Sequence, residues 1–155
     1  MRGTGAKLIG AKDITQNLRQ YQTRIESETK KGLAKVALRV QRNAKENLTK
    51  SGAVYMGRLR SSIKVHPTEN GKIQEVYTNV NYAAAVEFGS KPYFPPVEQL
   101  SDWSRKKIGI DLGFVIARKI AREGTQAKPY LFPALEKERP GITKELGASI
   151  RGVFR

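Results

Sequence analysis

Apolar or near-apolar side chains recur at Ile14, Leu18, Tyr21, Ile25, Leu33, Val36, Val40, Ala44 and Leu48, in steps of three and four, with Thr29 in the one wide gap. Such spacing is one stripe along an amphipathic helix, and it predicts a long helix over 13–49. Asp13 has a side chain suited to capping free N–H groups, and Gln16 stands three residues on, a capping-box-like pair. From 14 to 48 the stripe measures about 50 Å at 1.5 Å per residue. That exceeds the diameter of a small domain, so part of the helix must overhang and find a partner. The stripe either covers a sheet or pairs as a coiled coil. Gly32 costs about 1 kcal/mol against alanine and marks a candidate bend or break.

The period then changes. SSIKVH (61–66) and KIQEVYTNV (72–80) have strand character, and PTENG between them reads as a turn in which Asn70-Gly71 supplies positive φ. NYAAAVEFGS (81–90) reads as a short docking helix whose bulk is Tyr82, Val86 and Phe88, closed by Gly89 as a left-handed cap. KPYFPP breaks regular structure. Helical spacing resumes at Val97, Leu100, Trp103 and Ile108, ending at Gly109, and again from Phe114 through Ile120 and Ala121, ending at Gly124. TQAKPYLFP leads into a C-terminal helix carrying Ala134, Leu135, Ile142, Leu146, Ile150 and Val153, which Pro140-Gly141 interrupts or kinks. The expected fold is α+β: a long N-terminal helix and a C-terminal helix packed on a small antiparallel β-sheet, with a helical insertion. One domain, 1–155, divides into a flexible arm (1–12), the long helix (13–49), a sheet with a short helix (58–94), the insertion (95–124) and a C-terminal segment (125–155).

Charge changes this picture more than composition does. Twenty-nine Lys and Arg stand against 14 Asp and Glu, a net of +15. The excess is +8 over residues 1–50, +1 over 51–100 and +6 over 101–155. The nearly neutral middle is the candidate core, flanked by basic material that suits nucleic acid, an acidic protein surface or anionic lipid. There is no cysteine, which excludes disulfides and thiolate metal sites. The N-terminus has no apolar block of the secretory kind, and no apolar run approaches the roughly 20 residues that cross a bilayer. A soluble protein with no membrane partner is expected.

Candidate chemistry is thin. His66 is the sole histidine and sits beside Pro67 at a strand end, a poor start for a zinc site or a nucleophile–base pair. No Walker-type loop and no strand-bound GxGxxG occurs. Glu87 has no second carboxylate at a useful spacing for acid–base work, and is read as a structural partner of an arginine, Arg58 or Arg60. No enzyme, cofactor or metal is expected. Along the long helix Arg19, Arg24, Lys30, Lys31, Lys35, Arg39, Arg42 and Lys45 either track phosphates or an acidic partner, or form a solvated face. The alternative function is accordingly a basic nucleic-acid-binding module without catalysis.

Three stretches in order, GRLRSSIKV (57–65), NYAAAVEFGS (81–90) and GTQAKPYLFPALE (124–136), follow the long basic helix. With it they resemble the phage neck family of head–tail joining or tail-completion proteins, which includes minor tail components and proteins similar to minor tail protein Z. Gly57, Leu59, Arg60, Ser62 and Ile63 match the first segment of that family, with Met56 where Thr is usual. Tyr82, Ala83, Val86, Glu87, Phe88 and Gly89 match the second, with Ser90 for Thr. Pro129, Leu131, Pro133 and Ala134 match the third, with Tyr130 for Phe. The resemblance implies a structural virion protein, found in the neck or tail and in the host cytoplasm during assembly. It implies a ring of identical subunits joining head-completion or connector proteins to the tail terminator or tail tube, around a channel that carries DNA. Gly57, Leu59, Arg60, Ile63, Tyr82, Val86, Glu87, Phe88, Gly89, Pro129, Leu131 and Pro133 then become candidates for packing and subunit contact.

Overall fold

The computed structural model describes residues 11–52 and 57–154. Most of the predicted arm, and Met56, lie outside the described residues. Helix α1 spans Ala11–Lys50, 40 residues, about 60 Å long. It is followed by α2 (Arg58–Ser62), strand β1 (Lys64–Thr68), a 3-10 turn (Glu69–Gly71), strand β2 (Ile73–Tyr77), α3 (Ala83–Phe88), α4 (Val97–Ile108), α5 (Gly113–Glu123) and α6 (Leu131–Arg151), with a closing 3-10 turn at Gly152–Phe154. The fold is α+β, dominated by helix.

The core forms where α6 and the hairpin lie against the C-terminal half of α1. Val36, Val40, Ala44 and Leu48 lie on that half and pack with Leu59, Ile63, Val80, Ala83, Tyr130 and Ala134. Strands β1 and β2 pair antiparallel with Val65 opposite Val76 and His66 opposite Glu75. Two strands alone are marginal in water, and contact with α1 supports them. At the turn, Asn70 has φ 55° and Gly71 φ 84°, the left-handed values that this residue pair tolerates.

Three local expectations are corrected. Ser61 and Ser62 belong to α2, not to a strand: the hydroxyls of both return to backbone carbonyls three residues back, Arg58 at 3.0 Å and Leu59 at 2.8 Å, and so favour the turn. Gly32 does not break α1. A Cβ there would sit 2.7 Å from Ser149 Oγ on α6, so the glycine lets the two helices approach closely. Pro140 does not interrupt α6, which runs through it from Leu131 to Arg151. Its ring is exposed, and Arg39 on α1 grips carboxylates on either side of it. Nε donates to Glu138 Oε2 at 2.8 Å, and a terminal guanidinium nitrogen donates to Glu145 Oε2 at 3.0 Å. Tertiary contacts thus offset the missing helical hydrogen bond.

Helices α4 and α5 form a hairpin of their own. Gly113 enters so close to Ser101 that a Cβ would overlap Ser101 Oγ. Ser104 Oγ accepts the Leu112 N–H at 2.8 Å, closing the turn between the helices. Asp111 accepts the Gly113 N–H at 3.1 Å and pairs with Arg105 at 3.1 Å. Hydrogen bonds from Ser101 and Gly113, with the Arg105 charge, hold its carboxyl below the usual range.

Candidate functional site

Glu87 is almost wholly buried, 6% exposed, at the end of α3. Its Oε2 accepts the backbone N–H groups of Tyr130 (2.8 Å) and Leu131 (2.9 Å), and Oε1 accepts that of Phe132 (2.8 Å). A helix leaves its first four N–H groups without internal partners. At α6 three of them meet one carboxylate from 43 residues upstream, and the fourth position is Pro133, which has no N–H to satisfy. The charge also lies at the positive end of the helix dipole. Neither Arg58 nor Arg60 is its partner, so the arginine expectation is corrected.

The same two stretches are joined at their outer ends. Ser90 and Thr125 form an isolated antiparallel bridge with N–H to carbonyl distances of 3.1 and 3.2 Å, and Thr125 Oγ1 lies 2.9 Å from Ser90 Oγ. Between bridge and cap, the Lys128 N–H donates to the Val86 carbonyl at 2.7 Å. Each strand of the bridge is preceded by a glycine at positive φ, Gly89 (77°) and Gly124 (74°). A Cβ on Gly89 would approach the Thr125 carbonyl to 2.6 Å, and one on Gly124 would overlap the Ser90 carbonyl. Gly89 is not a left-handed helical cap, because its ψ of −179° is extended, a combination that belongs essentially to glycine. Tyr130, 2% exposed, lies beneath this clamp. Burial, the Glu87 charge and Tyr82 together push its phenol above its ordinary value.

The motif residues therefore divide into two groups. Leu59, Ile63 and Glu87 are buried, while Gly57, Val86, Gly89 and Leu131 are half-buried. Arg60, Tyr82, Phe88, Pro129 and Pro133 are exposed, Phe88 at 76%. Tyr82 and Phe88, read as docking bulk, stand 39% and 76% exposed on the chain's own surface.

The basic residues divide as well. Lys30 pairs with Glu26 (3.0 Å), Lys31 with Glu28 (2.7 Å), Lys35 with Glu145 (3.9 Å) and Arg42 with Glu46 (3.9 Å). Arg39 is bound into the α1–α6 contact, where Glu138 also accepts from Asn43 Nδ2 at 2.7 Å. Burial works to raise the Glu138 carboxyl, but the hydrogen bonds from Arg39 and Asn43 outweigh it and hold it below the ordinary value. Among the described residues no carboxylate lies within 4 Å of Arg19, Arg24 or Lys45. Glu138 and Glu145, the partners of Arg39 and Lys35, arrive from the far end of the chain.

Two surfaces are conspicuously apolar. On the N-terminal half of α1, Ile14, Leu18 and Tyr21 are exposed, and the Tyr21 ring stacks on Phe154 at 5.7 Å. On the hairpin, Phe114 and Val115 are exposed beside Arg118, Lys119 and Arg122, and Phe94 meets Phe114 edge-on at 6.3 Å. An open cleft of about 350 Å³ is bordered by Tyr82, Tyr93, Trp103 and Lys128. Among the described residues no group of three or more His, Cys, Asp or Glu side chains is placed to hold a metal ion. Among the same residues no helix is long and apolar enough to cross a membrane.

No curated protein and no solved structure matches the chain. One family does. Its profile, described as "Bacteriophage HK97-gp10, putative tail-component", matches residues 12–89, half of the chain, from the start of α1 through Glu87 and Gly89. The α4–α5 hairpin and α6, which Glu87 caps, lie beyond the match. On that match the chain belongs to the HK97-gp10-like family of bacteriophage tail components.

Proposed function

We propose that this protein is a structural, non-catalytic subunit that forms a ring in the phage neck and joins head-completion or connector proteins to the tail. The observation that carries the reading is the exposure of large apolar side chains on two separate helical faces of a phage tail component. Exposed apolar surface of this kind marks sites of protein association. Hydrogen bonds and glycines at the Glu87 clamp hold the scaffold together and leave Phe88, Pro129 and Pro133 at the surface beside it. Arg19, Arg24 and Lys45, which have no carboxylate within 4 Å among the described residues, are the α1 cations most available to channel DNA or an acidic neighbouring protein.

Electron microscopy of the purified chain, alone and with connector and tail-terminator proteins, tests the reading. Rings with an axial opening are expected. A protein that stays monomeric in every mixture, or never enters the virion, overturns it. Salt separates the roles of the charges: assembly or DNA binding should weaken between about 50 and 200 mM salt. Tight DNA binding by a monomer would favour the basic nucleic-acid-binding module instead.

A further inference from the structure

We infer that the N-terminal half of α1 in one copy of this chain docks on the exposed face of α5 in the next. The inference rests on the ring reading and assigns its subunit contact. Ile14, Leu18 and Tyr21 follow one another at helical spacing on one side of α1, Leu18 being 63% exposed. The surroundings of this strip are unusual for a chain of net charge +15. Between Asp13 and Arg24 the strip's own residues, ITQNLRQYQT (14–23), contain Arg19 as their one charged side chain, with Lys12 and Asp13 at one end and Arg24 at the other. Phosphate binding needs cations and finds one within the strip. A second copy needs a place where repulsion between basic surfaces is small, and this strip provides it.

The face of α5 complements the strip. Phe114 and Val115, 58% and 63% exposed, offer apolar surface at the start of the helix, and Arg118 and Lys119 follow one turn later. Neither cation has a carboxylate within 4 Å among the described residues. Asp13, one residue before Ile14, is exposed and is the carboxylate nearest the strip's free end. Apolar side chains thus meet apolar side chains, and Asp13 faces Arg118 and Lys119. Pairing strip with strip would close at a dimer and leave α5 uncovered. Pairing strip with α5 covers both faces in every copy, and a head-to-tail contact of this type closes into a ring when its rotation permits.

The absence of native cysteine makes the contact directly testable. Leu18→Cys and Val115→Cys are made in separate full-length chains, which are mixed under mild oxidation, and the linked peptides are identified by mass. A disulfide between position 18 of one copy and position 115 of another is expected, with little linkage in either variant alone. Leu18→Glu and Val115→Glu, both at exposed positions, should keep native circular dichroism and each weaken self-association at least about tenfold in sedimentation. Linkage of position 18 only to itself would overturn the proposal in favour of a paired-helix dimer. Rings that persist in Leu18→Glu without an 18–115 link would overturn this contact and leave the ring reading intact. A chain that does not self-associate at all overturns both.

Discussion

The two halves of α1 carry the same apolar period and meet opposite fates. From Val36 to Leu48 the stripe lies under α6 and the hairpin, and Leu48 is fully buried. From Ile14 to Tyr21 it continues in register with exposed side chains, and Phe154 stacks on Tyr21 at its inner end. Periodicity reports that a helix has an apolar face. It does not report whether the cover comes from the same chain. One half finds its cover within the described residues; the proposed cover of the other is a second molecule.

Truncation in the buried half should have the largest effect. Leu48→Ala removes a side chain with no exposed surface from the core cluster, and should destabilise the chain by about 2–5 kcal/mol. Urea unfolding followed by circular dichroism measures this. A loss below about 1 kcal/mol would mean that this half of α1 is less tightly packed than its burial implies. The Glu87 clamp comes next. Glu87→Gln retains an acceptor oxygen but turns an amide donor toward N–H groups that are themselves donors. With about 1–3 kcal/mol for each buried donor left unpaired, a loss of roughly 2–3 kcal/mol is expected. Hydrogen exchange should quicken first at Tyr130, Leu131 and Phe132. Uniform loosening across the protein, with no focus there, would refute the capping role.

A smaller effect distinguishes the ionic seam from the apolar one. The folded-state carboxyl of Glu138 lies below its ordinary value, so its contribution to stability is fully present above about pH 4.3. It is lost as pH falls through the lowered value. Glu138→Gln should therefore be less stable than the parent at neutral pH, and the gap between them should narrow in acid. Parallel stability curves down to about pH 2 would show that the Arg39–Glu138 contact does not contribute in this way.

Where structure follows from nearby residues, the sequence was legible. Helices α4 and α5 end one residue before Gly109 and Gly124, as read from those glycines. Asn70-Gly71 lies in the hairpin turn, although Pro67 and Thr68, read as part of that turn, extend β1 and pair with Gln74 and Ile73. Illegible features are those whose cause lies far along the chain. The partners of Glu87 are 43 to 45 residues away and are backbone groups, which leave no mark of residue type. The one available signal was the absence of a Ser, Thr, Asp or Asn cap before PYLFPALE, which implied that another element must supply it. Gly32 looked like a break because Ser149, the neighbour that explains it, is distant in sequence. Phe88 was legible as docking bulk, but whether its own chain covers it was not, because an exposed phenylalanine and a buried one are the same letter.

Leu18→Gln should have the smallest effect, and it tests the opening contrast most directly. The side chain leaves a site already 63% exposed, and glutamine is as good a helix former as leucine to within a few tenths of a kcal/mol. If the N-terminal half of α1 has no cover within its own chain, unfolding of dilute protein should shift by no more than about 0.5 kcal/mol. The same comparison at high concentration should reveal a difference, because assembly adds stability that depends on protomer concentration. A loss of 2 kcal/mol or more in dilute solution, on the order of a buried leucine, would place this strip inside the fold and remove the difference between the halves. No change at either concentration would leave the apolar period of residues 14–21 without a physical cause, since an exposed helix of this length gains nothing from leucine and isoleucine that glutamine and lysine would not supply.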